Sequence, residues 1–420
     1  MSVIIKNLLT LIGLIASYIA YNFGFDAFYL FAILYVFVLF LHFPRYLLSP
    51  TAVVFAYYGI WFLIAPFFAS GYSGEVLHGT DYQVAFLLIM PVFVTCIVAL
   101  TAASSLKITY LPSNKVMSLG LAFKVLGVTY VFCTLMLILI VINSGGFSYW
   151  MKSPGDAFLN RSGTGVFVIL SHFSGFILSV LSGYVAYNYK KYSVLFTFLF
   201  WLVVTSPVHG SKFQIGLFFI LAVSPWLIFA KVISIRAILF SIFMVFLFVY
   251  GMILRTEGAV NFERVLSYLN YFSTLHNLAL LVRDFEPSFM QTWFLPFNKF
   301  LTPFGLTGGV QYYDMNHYLT DIYYPDAWLI RATEQWPVEA DLYLNFYFVF
   351  GLPVLFLYFY FVGGVYRMAI ESRALGYLIC SVMLSLYIVS HLRGSLYNHT
   401  DFYLYPMIFT LFFIFRRYRF

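Results

Sequence analysis

Apolar runs of membrane-crossing length, separated by short polar connectors, recur along almost the whole chain. Twelve runs fit the pattern, at approximately 7–23, 27–43, 50–68, 84–104, 119–142, 166–188, 192–208, 213–230, 233–254, 341–362, 374–390 and 400–415. A helix needs about 20 apolar residues to cross a hydrocarbon core, so several of these sit at the short end. The seventh and eighth are parted only by His209-Gly210-Ser211-Lys212, and the two also read as one broken or re-entrant element. The pattern predicts an all-α, polytopic membrane helix bundle of about 12 spans. It divides the chain into nine spans over 1–254, one long polar loop over 255–340, and three spans over 341–420.

The loop is where the periodicity changes. Over Phe262–Phe285 apolar residues recur at Phe262, Val265, Leu266, Leu269, Phe272, Leu275, Leu278, Ala279 and Val282, which is helical spacing, and Pro287 closes it. Such an amphipathic helix either lies at the membrane surface or caps the bundle. Beyond it, Pro296 and Pro303 argue against another span. The Tyr-, Trp- and acid-rich 311–341 segment follows. Its rings and amides suit sugars, which stack on aromatic faces and need hydrogen-bond partners, and they equally suit an interfacial aromatic belt.

Composition supports the membrane reading. Hydrophobic residues make up 62% of the 420 and charged residues 9%, against about 25% charged in soluble domains. The formal charge of +7 is spread over span ends, which gives no nucleic-acid surface. Cys96, Cys133 and Cys380 all fall in apolar runs, so neither a disulfide framework nor a thiolate metal site is expected. No GxxxxGK[ST] or HExxH motif occurs, and Asp314-Met315-Asn316-His317 reads as a turn or hydrogen-bonding motif rather than a metal site. The expectation is chemistry without metal or cofactor. The first run lacks a small-residue cleavage site and reads as a retained span.

Charge sets the orientation. With the N-terminus inside, 14 of the 23 Lys and Arg residues fall at cytoplasmic span ends and only nine outside, five of them in the long loop. The positive-inside bias places both termini in the cytoplasm and the loop on the opposite face. That loop also collects nine of the 16 acids (Glu257, Glu263, Asp284, Glu286, Asp314, Asp321, Asp326, Glu334, Glu339).

Arginines are normally depleted on the outer face, yet Arg161, Arg255, Arg264, Arg283, Arg331 and Arg393 all lie there, with Lys212 in the seventh–eighth turn. Guanidinium forks match phosphate oxygens, so an anionic lipid-linked ligand is one reason to keep them; snorkelling or pairing with nearby acids is the other. His209, His276, His317, His391, Glu257 and Glu339 are candidates for a base that takes a hydroxyl proton, and no spacing singles one out.

These features resemble the O-antigen and oligosaccharide repeat-unit polymerases of bacteria, the Wzy type. The resemblance rests on Thr205-Ser-Pro-Val-His-Gly-Ser-Lys212, on Arg161 after a Tyr- and Trp-bearing loop, and on Arg393-Gly394-Ser395 before the last span. It rests also on Glu339-Ala-Asp-Leu-Tyr-Leu-Asn345-Phe346, though here Tyr347 follows where that family shows glycine. The resemblance implies a glycosyltransferase of the bacterial inner membrane with a periplasmic loop. It would join undecaprenyl-diphosphate-linked oligosaccharides, within membrane lipid and with a chain-length regulator as a plausible partner. On this resemblance Arg161, His209, Arg255, Glu257 and Glu339 stand near the reaction, and Lys212, Arg264, Arg283, His317, Arg331, Asn345 and Arg393 bind substrate. An O-antigen ligase acting on lipid A-core and a polysaccharide flippase are the alternatives. A flippase should show paired halves, and these halves differ in their loops.

Overall fold

The computed structural model describes the chain except for 69–76, 106–114, 154–155, 158–160, 162, 210–211, 244–271, 302–311, 327–333, 397–400 and 420, and the side chains of 212–213, 299–300 and 401–402. The described residues form helices, with only isolated bridges of extended backbone between connectors.

The apolar runs become α1 (Val3–Asn22), α2 (Ala27–Leu41), α3 (Pro50–Tyr58), α4 (Gly79–Ala103) and α5 (Leu119–Asn143). A short α6 (Gly146–Lys152) follows, then α7 (Gly165–Tyr189), α8 (Tyr192–His209) and α9 (Lys212–Leu227). Helix α3 runs on through a π turn at Gly59–Ile64 and a 3-10 turn at Ala65–Phe67. After 244–271 come α10 (Thr274–Asp284), α11 (Met315–Tyr323), α12 (Val338–Asn345), α13 (Gly351–Ser372), α14 (Leu375–Leu392) and α15 (Asp401–Phe415). Eight helical stretches among the described residues have the length and composition to cross a membrane. Three shorter apolar helices coincide with the second, eighth and twelfth predicted runs. The ninth run extends into residues outside those described.

Bundle packing relies on small residues where helices touch, as expected when lipid is no less apolar than the side chains. Gly183 of α7 is one such point: a Cβ there would lie 2.0 Å from the Ala222 carbonyl oxygen of α9. Short basic connectors meet at one end of the bundle. Tyr46 bridges to Lys231, Lys115 to Tyr418 and Ala374 to Arg419, while Arg367 donates to the Ser104 carbonyl. At the other end Gln83 of α4 bonds Asp26, which caps α2, and Tyr82 meets His276 of α10.

The structure revises one predicted span. The run at 341–362 is not continuous: α12 stops at Asn345 and the crossing helix starts at Gly351. Tyr347 and Phe348 between them adopt left-handed backbone (φ 46° and 62°). That conformation costs a non-glycine residue roughly 1–2 kcal/mol. It is held by the Tyr347 N–H donating to the Ser288 carbonyl (2.9 Å) and the Phe348 N–H donating to the Leu342 carbonyl (2.8 Å). The predicted helix over 262–285 is described from Thr274 to Asp284, and it caps the bundle against α4 with Leu275, Leu278 and Ala279 buried. Its predicted first half lies outside the described residues.

Candidate active site

Every residue of α12 is buried, although it carries Glu339, Asp341 and Asn345. A buried carboxylate is costly unless paired or protonated, so each oxygen needs an account. The Tyr58 hydroxyl of α3 donates to Glu339 Oε1 at 2.8 Å. Asn345 Nδ2 donates to Asp341 Oδ1 at 2.7 Å. Glu339 Oε2 and Asp341 Oδ2 meet no hydrogen-bond partner among the described residues. Burial pushes Glu339 up to about 8, with its own backbone N–H and the Tyr58 hydroxyl pulling the other way. Burial likewise pushes Asp341 up to about 7, opposed by Asn345 and the Leu396 N–H. Both acids lie in the first turn of α12, the end of a helix dipole that favours negative charge.

Asn345 fixes this helix in place. Its Oδ1 accepts from the Thr292 N–H (2.8 Å), and its Nδ2 donates to Thr292 Oγ1 (2.8 Å) as well as to Asp341. Both amide protons and the carbonyl are thus engaged within the fold. The Ser288, Met290 and Gln291 N–H groups donate to the Tyr343, Asn345 and Leu344 carbonyls, wrapping the 288–292 segment around the end of α12.

Around Glu339 the wall is aromatic and cationic. Trp61 stacks on Tyr57 (centroids 4.9 Å apart), and the Arg393 guanidinium lies 5.4 Å from the Trp61 ring centre. The Tyr57 hydroxyl donates to the Leu392 carbonyl at 2.8 Å, tying α3 to the end of α14. Tyr57 is within electrostatic reach of both Glu339 and Arg393. Burial raises the Glu334 carboxyl, and Arg393 opposes the shift. The Trp61 indole N–H has no hydrogen-bond partner among the described residues. A carboxylate, an arginine and aromatic faces are therefore linked through Tyr57 and Tyr58.

A second cluster joins α7, α8 and α9. His209 Nε2 and Thr205 Oγ1 share a 2.9 Å hydrogen bond, and the His209 ring lies edge-on to Trp201 (5.4 Å) and Phe218 (5.3 Å). His172 of α7 faces Phe218 as well (6.4 Å) and is within electrostatic reach of Arg161. His172 Nε2 and His209 Nδ1 have no hydrogen-bond partner among the described residues. Two buried imidazoles and a half-buried arginine thus gather where the Thr205–Lys212 motif ends.

The other sequence candidates scatter. Arg283 is engaged with its neighbour Asp284 through Nε–Oδ1 (2.7 Å) and Nη2–Oδ2 (2.8 Å), which lowers the Asp284 carboxyl. Asp314 caps α11 by accepting the His317 N–H at 2.8 Å, and His317 Nδ1 accepts from the Tyr313 N–H, so this motif is a helix cap. His276 meets Tyr82 (3.1 Å), and His391 meets Tyr358 (2.5 Å). Lys212 opens α9 with its side chain outside the described residues. Arg255, Glu257, Arg264 and Arg331 lie outside the described residues altogether. Among the described residues no group of three or more His, Cys, Asp or Glu is placed to hold a metal ion.

The residues not singled out beforehand are His172, Tyr57, Tyr58 and Trp61. All sit inside apolar runs, where tyrosine and tryptophan look like span residues. The only sequence signal for His172 is its polar company, Ser171 and Ser174. No protein-family model matches the chain, and no curated protein or solved structure matches it.

Proposed function

We propose that this chain is a membrane glycosyltransferase that joins lipid-diphosphate-linked oligosaccharide units, with Glu339 as the base. The observation that carries this reading is a fully buried carboxylate with one oxygen bonded by Tyr58 and the other without a donor among the described residues, linked to Arg393 and Trp61 through Tyr57. A base works best with a pKa near the working pH, and burial moves Glu339 into that range.

In this reading Glu339 Oε2 takes the proton of an acceptor sugar hydroxyl. The hydroxyl oxygen forms the bond to the anomeric carbon of the donor, and the bond from that carbon to the phosphate oxygen breaks. The diphosphate leaves with the electron pair, so the reaction needs no nucleotide. Arg393 and Arg161 offset the charge that develops on it. The full proposal is a bundle of 12 spans in a bacterial inner membrane. Both termini lie in the cytoplasm, the 255–340 loop lies in the periplasm, and a chain-length regulator is a fitting partner. The basic connectors gathered at one end support this orientation.

Buried acids among membrane helices also suit a proton-coupled exporter, and this is the second reading. Purified protein in liposomes supplied with lipid-linked units separates the two. Lengthening products on a gel support polymerisation, whereas translocation without lengthening supports export. Transfer to lipid A-core alone indicates a ligase.

A further inference from the structure

Beside the candidate active site lies a cleft of about 290 Å³ lined by Phe28, Phe67, Phe86, Phe272, Tyr82 and His276, with Pro66, Ser273 and Leu275 completing it. Its walls come from α2, the 3-10 end of α3, the first turns of α4 and the start of α10. Three of these contributors are apolar helices at the bundle end away from the basic connectors. The lining is graded. Phe28, Phe67, Phe86 and Phe272 offer hydrocarbon-like surface, while Ser273 and the Tyr82–His276 hydrogen bond (3.1 Å) mark a polar side.

The cleft is connected to the catalytic residues. Phe272 packs edge-on against Trp61 (4.8 Å), and Trp61 carries Arg393 on its ring. One side chain therefore separates the apolar cleft from the guanidinium. This is the order of groups in an amphiphile whose anionic head follows directly on its tail. The volume is at the low end of ligand pockets, about 300–1,000 Å³, which fits a segment of chain rather than a whole molecule.

We infer that this cleft seats the head-proximal part of the polyprenyl tail of a diphosphate-linked substrate, placing the diphosphate at Arg393. The inference rests on the glycosyltransferase reading and adds where the lipid enters. Phe67 is 69% exposed at the cleft, and Phe40 is 82% exposed at the far end of α2, so the two serve as probe and control.

The test replaces each in turn (Phe67→p-benzoylphenylalanine, Phe40→p-benzoylphenylalanine) in the full chain. The protein is placed in phospholipid vesicles doped with undecaprenyl diphosphate, irradiated, and its adducts weighed by mass spectrometry. The expected result is polyprenyl adduct at position 67 enriched at least about tenfold over its share of the bilayer, corresponding to roughly 1.4 kcal/mol of preference, with no enrichment at position 40. Adducts that follow bilayer composition at both positions overturn the inference, as does equal enrichment at both. Crosslinking needs no turnover, so the same enrichment is expected in a Glu339→Gln background. Lengthening of lipid-linked units without enrichment at position 67 refutes the inference alone. Enrichment in a protein that lengthens nothing refutes the polymerase reading alone.

Discussion

The two polar clusters in the bundle are built from opposite materials. Glu339 sits on an eight-residue helix whose end is clasped by side-chain and backbone hydrogen bonds from 288–292, and its first oxygen is already engaged by Tyr58. His172 and His209 sit on long crossing helices and are walled mainly by Trp201 and Phe218, with Arg161 approaching from the preceding loop. The first arrangement fixes a proton acceptor in position. The second surrounds two imidazoles with aromatic surface next to a guanidinium, which suits holding a group rather than transferring a proton. In this account Glu339 does the chemistry and the histidines position the substrate.

The largest test of that contrast is kinetic. Glu339→Gln keeps the Tyr58 hydrogen bond but removes the base, and lengthening should slow about 10²–10⁴-fold, the usual worth of a positioned acid or base. His209→Gln and His172→Gln should instead raise KM about tenfold with kcat within a few-fold, the pattern of lost binding shared by ground and transition states. A kcat loss at either histidine as large as at Glu339 would erase the distinction.

Next in size is the clasp. Asn345→Ala strands the Thr292 N–H and leaves Asp341 with the Leu396 N–H but no side-chain donor, at about 1–3 kcal/mol for a buried group left unpaired. A lowered melting temperature in detergent, with earlier proteolysis within 285–297, is the readout. Unchanged melting would mean the clasp contributes nothing.

A smaller effect comes from Tyr58→Phe. The Tyr58 hydroxyl stabilises the Glu339 carboxylate, so its loss should move the rise of activity to higher pH, by about one unit if the bond is worth ~1.4 kcal/mol. Stability is linked to the same group. The Glu339 pKa is raised in the fold, so its contribution is fully present below its ordinary value near 4.5 and is lost as pH rises through about 8. Wild-type protein should therefore lose melting temperature relative to Glu339→Gln over that window. The least effect belongs to Arg283→Ala, whose neighbouring-residue ion pair is a quarter to a third exposed and should matter by less than about 1 kcal/mol.

These clusters were unequally legible in the chain. Crossing helices announce themselves through long apolar runs, and the amphipathic spacing over 262–285 takes in α10, which is described from Thr274 to Asp284. The break after Asn345 was hidden because Phe346-Tyr347-Phe348-Val349 continues the apolar pattern. Its cause is a side-chain clasp from 288–292, residues more than 50 positions away from it in sequence. Glu339 was a candidate from its place at a membrane junction, whereas nothing local marks Tyr58 or Trp61 as its neighbours. Those contacts arise from helix packing, which no short motif records. Arg283 and His317 show the converse. Their residue types suited a ligand, and the fold uses them beside Asp284 and at the start of α11.

The most direct measurement is the pH dependence of lengthening by the purified protein in liposomes, wild type beside Glu339→Gln. Wild-type kcat/KM should climb with pH and level off above an inflection near 8, as Glu339 ionises. The Glu339→Gln protein should be slow and lack that inflection. A variant that keeps both the rate and the inflection would contradict Glu339 as the base.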